Sequence, residues 1–390
     1  MLAATQRQLC RRVFDYIDAG RTEVGDAIYY NPVSDYAGAQ QLALERQKLF
    51  LQEPLLLALS GQLPVAGAHL TTDLAGEPLL LTRGDDGRVR AFLNVCRHRG
   101  SRVASGCSTA AGKGSFTCPY HAWTYDTRGR LKTVTPAYAF EGIRREDRSL
   151  VELPCAERHG LIWARQTPGP AIDVDDLLGG LAEEFEAYGL ARYTHFETRV
   201  LSKPFNWKLV IDTFLETWHI PVLHRKTVAP IFQPDLGVFD SFGRNGRMII
   251  PRRSIVVQRE RPESEWDLLK HTAIVYCLFP NVVLVWQGDH VEIWRSYPAA
   301  GAPGQCLTEM SFYVPEPAAT ESARRHWQKN LDLLLATVEN EDFPLCAQIQ
   351  GGAASGAQDY TVFGRNEPAL THFHRGIRSA LGLPAYVPAV

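Results

Sequence analysis

The stretch "NVCRHRGSRVASGCSTAAGKGSFTCPYHAWTYD" runs from Asn94 to Asp126. It places Cys96 and His98 one residue apart, then nineteen residues, then Cys118 and His121 two residues apart. Two short loops that each offer a thiolate and an imidazole suggest a metal site. Such ligands suit zinc or iron–sulfur chemistry. A zinc finger usually places two Cys before two His, with helical spacing between the histidines. The order Cys-His then Cys-His does not fit that template. A 2Fe–2S cluster with two Cys on one iron and two His on the other does, because each loop then gives one ligand to each iron. Gly100, Gly106, Gly112 and Gly114 let backbone N–H groups approach the sulfides, and Pro119 stiffens the second loop. Cys107 lies between the loops and has no place in the pattern; it reads as a buried or surface thiol.

The rest of the chain sets bounds. Its 390 residues allow two or three domains. With 45% apolar and 22% charged residues it reads as an ordinary globular protein. A net charge of −2 implies no polyanion partner, so no nucleic acid is expected. No apolar run approaches the ~18 residues of a membrane span. The N-terminus "MLAATQRQLCRRVFDYIDAG" lacks the pattern of a signal peptide, so a cytoplasmic location is expected. Eight dispersed cysteines do not resemble a disulfide framework.

Residues 1–49 read as a mainly helical arm with an irregular middle at "YYNPVSDYAG". From 50 to 166 short strands dominate. "EPLLLTRGDDGRVRAFLNVC" is a hairpin, two apolar runs joined by Gly-Asp-Asp-Gly. This is the β domain that carries the Cys-His loops. Residues 167–390 form a second domain. "DVDDLLGGLAEEFEAYGL" opens it as one helix with an acidic first turn. Strands follow at "THFETRVLSKPFN", "TAIVYCLF", "VVLVWQG", "VEIWRSYP" and "TEMSFYVP", with one helix over Trp207–Ile220 and a long helix from about Thr320. Strands followed by helices predict an α+β fold.

A second chemical segment is "NWKLVIDTFLETWHIPVLH", Asn206 to His224. On a helix, Trp207, Val210, Ile211, Phe214, Leu215 and Trp218 make an apolar stripe. Asp212, Glu216 and His219 share another face, which is ordinarily a solvated one. Pro221 ends or kinks this helix, so His219 and His224 straddle a bend and face one centre. Two His and one carboxylate are the ligand set of non-heme Fe(II) oxygenases. "VENEDFPLCAQIQGG" offers Glu339, Glu341 or Asp342 as the carboxylate.

"CRHRG" followed by "CPYHAWTYD" resembles the cluster motif of the catalytic (alpha) subunits of Rieske non-heme iron oxygenases, the ring-hydroxylating family. "NWK", an acid-x-x-His-x-x-x-x-His segment and an "ED" before a Gln are similar to the same family. The resemblance covers about residues 45–375. It implies a Rieske domain of iron–sulfur fold and a catalytic domain of helix-grip type. It implies that Cys96, His98, Cys118 and His121 hold a Rieske 2Fe–2S cluster. His219, His224 and Asp342 would then hold a mononuclear Fe(II), with Glu341 the second choice for the acid. Glu216 matches the acid that bridges the two centres across a subunit contact in the trimers typical of the family. Most members have Asp there; Glu is similar to members that act on quaternary ammonium compounds. Asp212 matches a position beside the iron. Ala122 stands where the family usually has Gly.

The implied function is O₂- and NAD(P)H-dependent hydroxylation or oxidative demethylation of a small organic molecule, aromatic or quaternary ammonium. The implied donor is a separate reductase, directly or through a ferredoxin, and the implied assembly is a homotrimer. An electron-transfer Rieske protein without catalysis is the alternative, and a structural zinc module a further one. "APIFQPDLGVFDSFGRNGRMIIPRR" (229–253) is expected to be a loop over the active site. Its Phe232, Phe239 and Phe242, with Trp286 and Trp294, are candidates to bind an aromatic ring or cage a trimethylammonium group. Arg244, Arg247, Arg252 and Arg253 are candidates to hold a carboxylate.

Overall fold

The Gly-Asp-Asp-Gly segment closes a two-strand hairpin, with Leu79–Arg83 antiparallel to Val89–Leu93. Gly87 sits at φ 76°, in the left-handed region that such a turn requires. The structure is a computed structural model describing residues 1–110, 112, 114–299 and 301–388. The chain forms two compact units.

One unit comprises Phe50–Leu177 and Gly189–Tyr193. It holds a five-stranded and two three-stranded antiparallel sheets. Its core includes Leu80, Phe92, Phe116, Trp123, Tyr125 and Leu131, and both Cys96 and Cys118 lie within it. The small sheet of Ser115–Thr117, Thr124–Asp126 and Leu131–Thr133 frames the second Cys-His loop.

The other unit comprises Met1–Leu49, Leu178–Tyr188 and the chain from Thr194 on. A seven-stranded antiparallel sheet runs in the order 194–203, 306–314, 291–298, 282–286, 272–278, 245–251 and 238–242. The central strands Thr272–Leu278, Val282–Trp286 and Val291–Pro298 are buried at every position, and the last of them buries Glu292 and Arg295 as well. Helices Trp207–Asp212 and Pro368–Leu381 pack on this sheet. The α+β class holds. No helix is long and apolar enough to cross a membrane among the described residues.

Four local expectations need correction. The "irregular" 29–38 segment contains a strand, Tyr29–Pro32, paired antiparallel with Tyr360–Phe363. The acidic-start helix is two helices, Val174–Leu178 and Ala182–Tyr188, parted at Gly179, which takes φ 54°. The stretch 229–253 is a loop only at its start, since 238–242 and 245–251 are strands.

The fourth correction matters most. Trp207–Ile220 is not one helix. It stops at Asp212, and a separate turn of helix spans Ile220–Leu223. After Asp212 the backbone tightens, with Phe214 N–H reaching Ile211 O at 3.0 Å and Leu215 N–H reaching Asp212 O at 3.1 Å. The Glu216 carboxylate then accepts the backbone N–H groups of Trp218 (2.5 Å) and His219 (3.2 Å). A side chain that satisfies these donors removes the need for a helical partner. Pro221 lies in the first turn of the second helix, where its missing donor costs nothing; it starts a helix rather than ending one.

Candidate metal centres

In the β unit, Cys96 and Cys118 are free, buried thiols. The Cys96 N–H bonds Ser101 O at 2.7 Å and the Cys118 N–H bonds Trp123 O at 2.8 Å, so each loop is closed on itself. The His98 and His121 rings lie 4.7 Å apart, and His98 stacks on Trp123 at 4.8 Å. The Tyr125 hydroxyl accepts from the Arg97 N–H at 2.9 Å and sits 3.4 Å from Cys96 Sγ. His98 Nδ1 is buried without a hydrogen-bond partner among the described residues. A buried ring nitrogen left unpaired is costly, and a metal bond satisfies it. Tetrahedral zinc would draw its ligand atoms close around one point. Among the described residues a convergence of three or more such atoms occurs only elsewhere. Two thiols and two imidazoles are the ligand set of a 2Fe–2S cluster with two Cys on one iron and two His on the other. Ala122 closes this loop at φ 58°, a conformation that favours glycine. Cys107 is exposed.

That convergence lies in the other unit. One ligand atom each from His219, His224 and Asp342 lie within 4.8 Å of one another. Asp342 Oδ1 is 3.7 Å from His219 Nε2 and 3.2 Å from His224 Nε2. The opposite ring nitrogens are held by carboxylates: His219 Nδ1 by Glu216 and His224 Nδ1 by Glu341 at 2.5 Å. Thr227 donates to the same Glu341 oxygen at 2.9 Å. A carboxylate only accepts, so each Nδ1 carries its proton and each Nε2 presents a lone pair toward Asp342. Two His and one carboxylate are the donor set of a non-heme Fe(II) site.

Asp342 ends a π-helical turn, Val338–Asp342, between helices Glu321–Thr337 and Phe343–Ala354. The wider turn shifts the register of three neighbouring acids. Glu339 pairs with Lys203 at 2.6 Å, Glu341 orients His224, and Asp342 faces both imidazoles. Asp212 points elsewhere. It accepts from Tyr36 at 2.8 Å and His374 at 2.9 Å, and it is not among the described residues that line the neighbouring cavity.

That cavity, about 590 Å³, is lined by His219, His224, Asp342 and Glu216. Phe214, Val228, Phe232, Val275, Val285 and Leu334 add apolar wall. Arg252, Gln287, Asp289, His290 and Glu292 add a polar end. Of the five aromatic residues expected to bind a ring or cation, only Phe232 lines it. Trp286 stacks on Tyr188 at 4.3 Å, Trp294 packs on Phe214 at 5.4 Å, and Phe239 and Phe242 line a separate pocket. Of this polar end, only Arg252 was a candidate on sequence. The signal for the rest was Glu292, an acid inside the apolar run "HVEIW".

Residues 53–143 match the family described as "Rieske [2Fe-2S] domain", and residues 190–383 match "Ring hydroxylating alpha subunit (catalytic domain)". The carnitine monooxygenase oxygenase subunit of Acinetobacter baumannii is 31% identical over 201 residues, 51% of this chain and 53% of that one. The biphenyl 2,3-dioxygenase alpha subunit of Rhodococcus jostii is 31% identical over 265 residues, 66% of this chain and 54% of that one. The aligned chain thus spans about half the length of these curated relatives. The fold is similar to that of the quaternary ammonium Rieske monooxygenase CntA in complex with L-carnitine, with a TM-score of 0.76 at 21% identity, over 90% of this chain and 95% of that one. The two matched domains are those of a Rieske 2Fe–2S cluster and a mononuclear iron, and the donor sets described above fit both groups. The chain belongs to the Rieske oxygenase alpha-subunit family.

Proposed function

We propose that this chain is a terminal oxygenase component that uses O₂ to hydroxylate or oxidatively demethylate a small organic substrate. One observation carries the reading: two imidazoles and one carboxylate converge beside a cavity of about 590 Å³. That convergence favours an oxygenase over a Rieske electron carrier. When bound, the mononuclear iron activates O₂ and the 2Fe–2S cluster supplies single electrons. Cys96, His98, Cys118 and His121 hold the cluster; His219, His224 and Asp342 hold the iron. Glu216 and Glu341 fix the tautomer and aim of the two iron histidines. Residues 50–166 are assigned as the cluster domain, 167–390 as the catalytic domain and 1–49 as an arm on the latter.

Electrons come from a separate NAD(P)H reductase, directly or through a ferredoxin. The assembly is a cytoplasmic homotrimer in which Glu216 of one copy faces the Rieske loop of the next. Exposed apolar side chains on the segments that would meet, Tyr120, Trp218 and Val222, support that contact. Relatives acting on carnitine or glycine betaine and on biphenyl leave both quaternary ammonium conversion and aromatic catabolism within the reading. The test is reconstitution with an NAD(P)H reductase and product analysis under O₂. O₂-dependent product from a brown-red protein is expected. A colourless protein, or one that is reduced by the reductase yet oxidises no compound of either class, would sink the reading.

A further inference from the structure

The polar end of the cavity contains a cation that the proposed chemistry does not use. Of the four arginines in or beside the 229–253 segment, only Arg252 lines the cavity. Arg244 lies over the Phe279 ring at 4.1 Å, Arg247 pairs with Glu184 and Asp240, and Arg253 lines another pocket. Arg252 Nη2 donates to the Gln287 carbonyl at 2.8 Å and to its side-chain oxygen at 3.4 Å. Its Nε is buried and has no partner among the described residues.

The other cations of the lining are committed. Lys270 is 78% exposed and pairs with Asp267 at 3.0 Å. His290 faces Asp289 at 2.7 Å and Glu292 at 3.5 Å. Asp289 is the carboxylate that acts on Arg252, but it is 61% exposed and bonded to His290. Burial pulls the Arg252 pKa down. A guanidinium held in a partly desolvated wall with a spare donor is costly unless an acceptor arrives. A planar fork of donors matches a carboxylate.

We infer that Arg252 anchors the carboxylate of an apolar-bodied substrate whose far end lies at His219, His224 and Asp342. This rests on the oxygenase reading. The handle is the carboxylate rather than a trimethylammonium group, because Trp286, Trp294, Phe239 and Phe242 do not line the cavity and leave Phe214 and Phe232 as its only phenyl walls among the described residues.

The test is calorimetric binding to the purified holoenzyme, without O₂ or reductase. The probes are benzoate against benzamide, 3-phenylpropionate against its amide, and glycine betaine against choline. At least one acid is expected to bind about 10- to 100-fold tighter than its uncharged or cationic counterpart. Arg252→Gln is expected to bring that ratio close to one, and Arg252→Lys to keep part of it. Equal affinity within every pair in the wild-type protein overturns the inference, and that arm needs no variant to fold. So does binding by none of the acids, or a ratio unchanged in a Gln variant with wild-type melting. Acid binding without any O₂-dependent product would sink the oxygenase reading and leave the anchor. Product from neutral compounds with no acid preference would sink the anchor alone.

Discussion

His219 donates its Nδ1 proton to the Glu216 carboxylate three residues before it, in a segment that has left the helix. The same carboxylate caps the backbone N–H groups of Trp218 and His219. One side chain thus sets both the path of the chain and the aim of the imidazole. Glu216→Gln keeps an acceptor for His219 but loses the charge and presents an NH₂ in place of one oxygen. Charge-assisted bonds are roughly twice as strong as neutral ones. The variant is expected to keep cluster colour and iron while product falls about 10- to 100-fold. Glu216→Asp should keep partial activity. Single-turnover oxidation of the pre-reduced cluster, with substrate and O₂ present, checks this. Wild-type rates and yields in the Gln variant would reduce Glu216 to a cap.

The three neighbouring acids should separate by metal analysis. The intact chain is expected to hold about three irons and two acid-labile sulfides. Asp342→Ala should lose one iron and keep the sulfides and the visible spectrum. Glu341→Ala should keep the site but weaken iron binding about 10- to 100-fold, because it frees the His224 ring. Glu339→Ala should leave iron content unchanged.

Ala122 offers a stability test. It holds φ 58° without being glycine. Ala122→Gly should raise stability by up to about 1 kcal/mol, and Ala122→Val should lower it by more than that. Denaturant unfolding of the cluster-loaded chain measures both. A Gly variant less stable than wild type would mean the loop is not strained there.

Glu45 and Lys208 form an ion pair at 2.5 Å with both side chains fully buried. Trp207 Nε1 also donates to Glu45 at 2.8 Å. Removing one partner strands the other charge, at a cost of about 3–5 kcal/mol. Glu45→Ala is therefore expected to lower the melting temperature sharply, and Glu45→Ala with Lys208→Met to recover much of the loss. A small effect of Glu45→Ala alone would argue that water enters the site.

His290 gives the pH dependence a sign. Burial alone would lower its pKa, but bonds to Asp289 and Glu292 raise it to about 9. The folded value exceeds the unfolded one of about 6.5. Its contribution is thus complete below about pH 6.5 and is lost as pH rises through about 9. Stability should fall across that window, and His290→Asn should flatten the limb. A wild-type curve that is flat or rising there would contradict the bonding described.

The cluster domain was legible because two Cys-His pairs and their turn residues lie within one short stretch. The hairpin at 79–93 was legible for a similar local reason. The Trp207–Ile220 helix was misread because periodicity cannot see a Glu216 carboxylate taking two backbone donors. Asp342 could not be separated from Glu339 and Glu341 by residue type. The π-helical turn that sorts them is a backbone event without a sequence mark. The 238–251 strands were mistaken for loop because "GRNG" and nearby prolines hid a hairpin whose partner strand lies further along the chain. Which arginine and which aromatics reach the cavity depends on that pairing, so no local rule could have chosen Arg252 or Phe232.

The strand Tyr29–Pro32 finds its partner only at Tyr360–Phe363, and Thr361 bonds Asn31 across 330 residues. Ribosomes emit about 5–20 residues per second. The first strand therefore waits roughly 15 to 65 seconds for its mate, while the whole iron–sulfur unit emerges in between. That order lets the cluster be installed in a finished domain while the arm that completes the other unit is still unpaired. The exposed edge of Tyr29–Pro32 is then a hazard during synthesis, and a chain halted before residue 360 would leave it open to other strands.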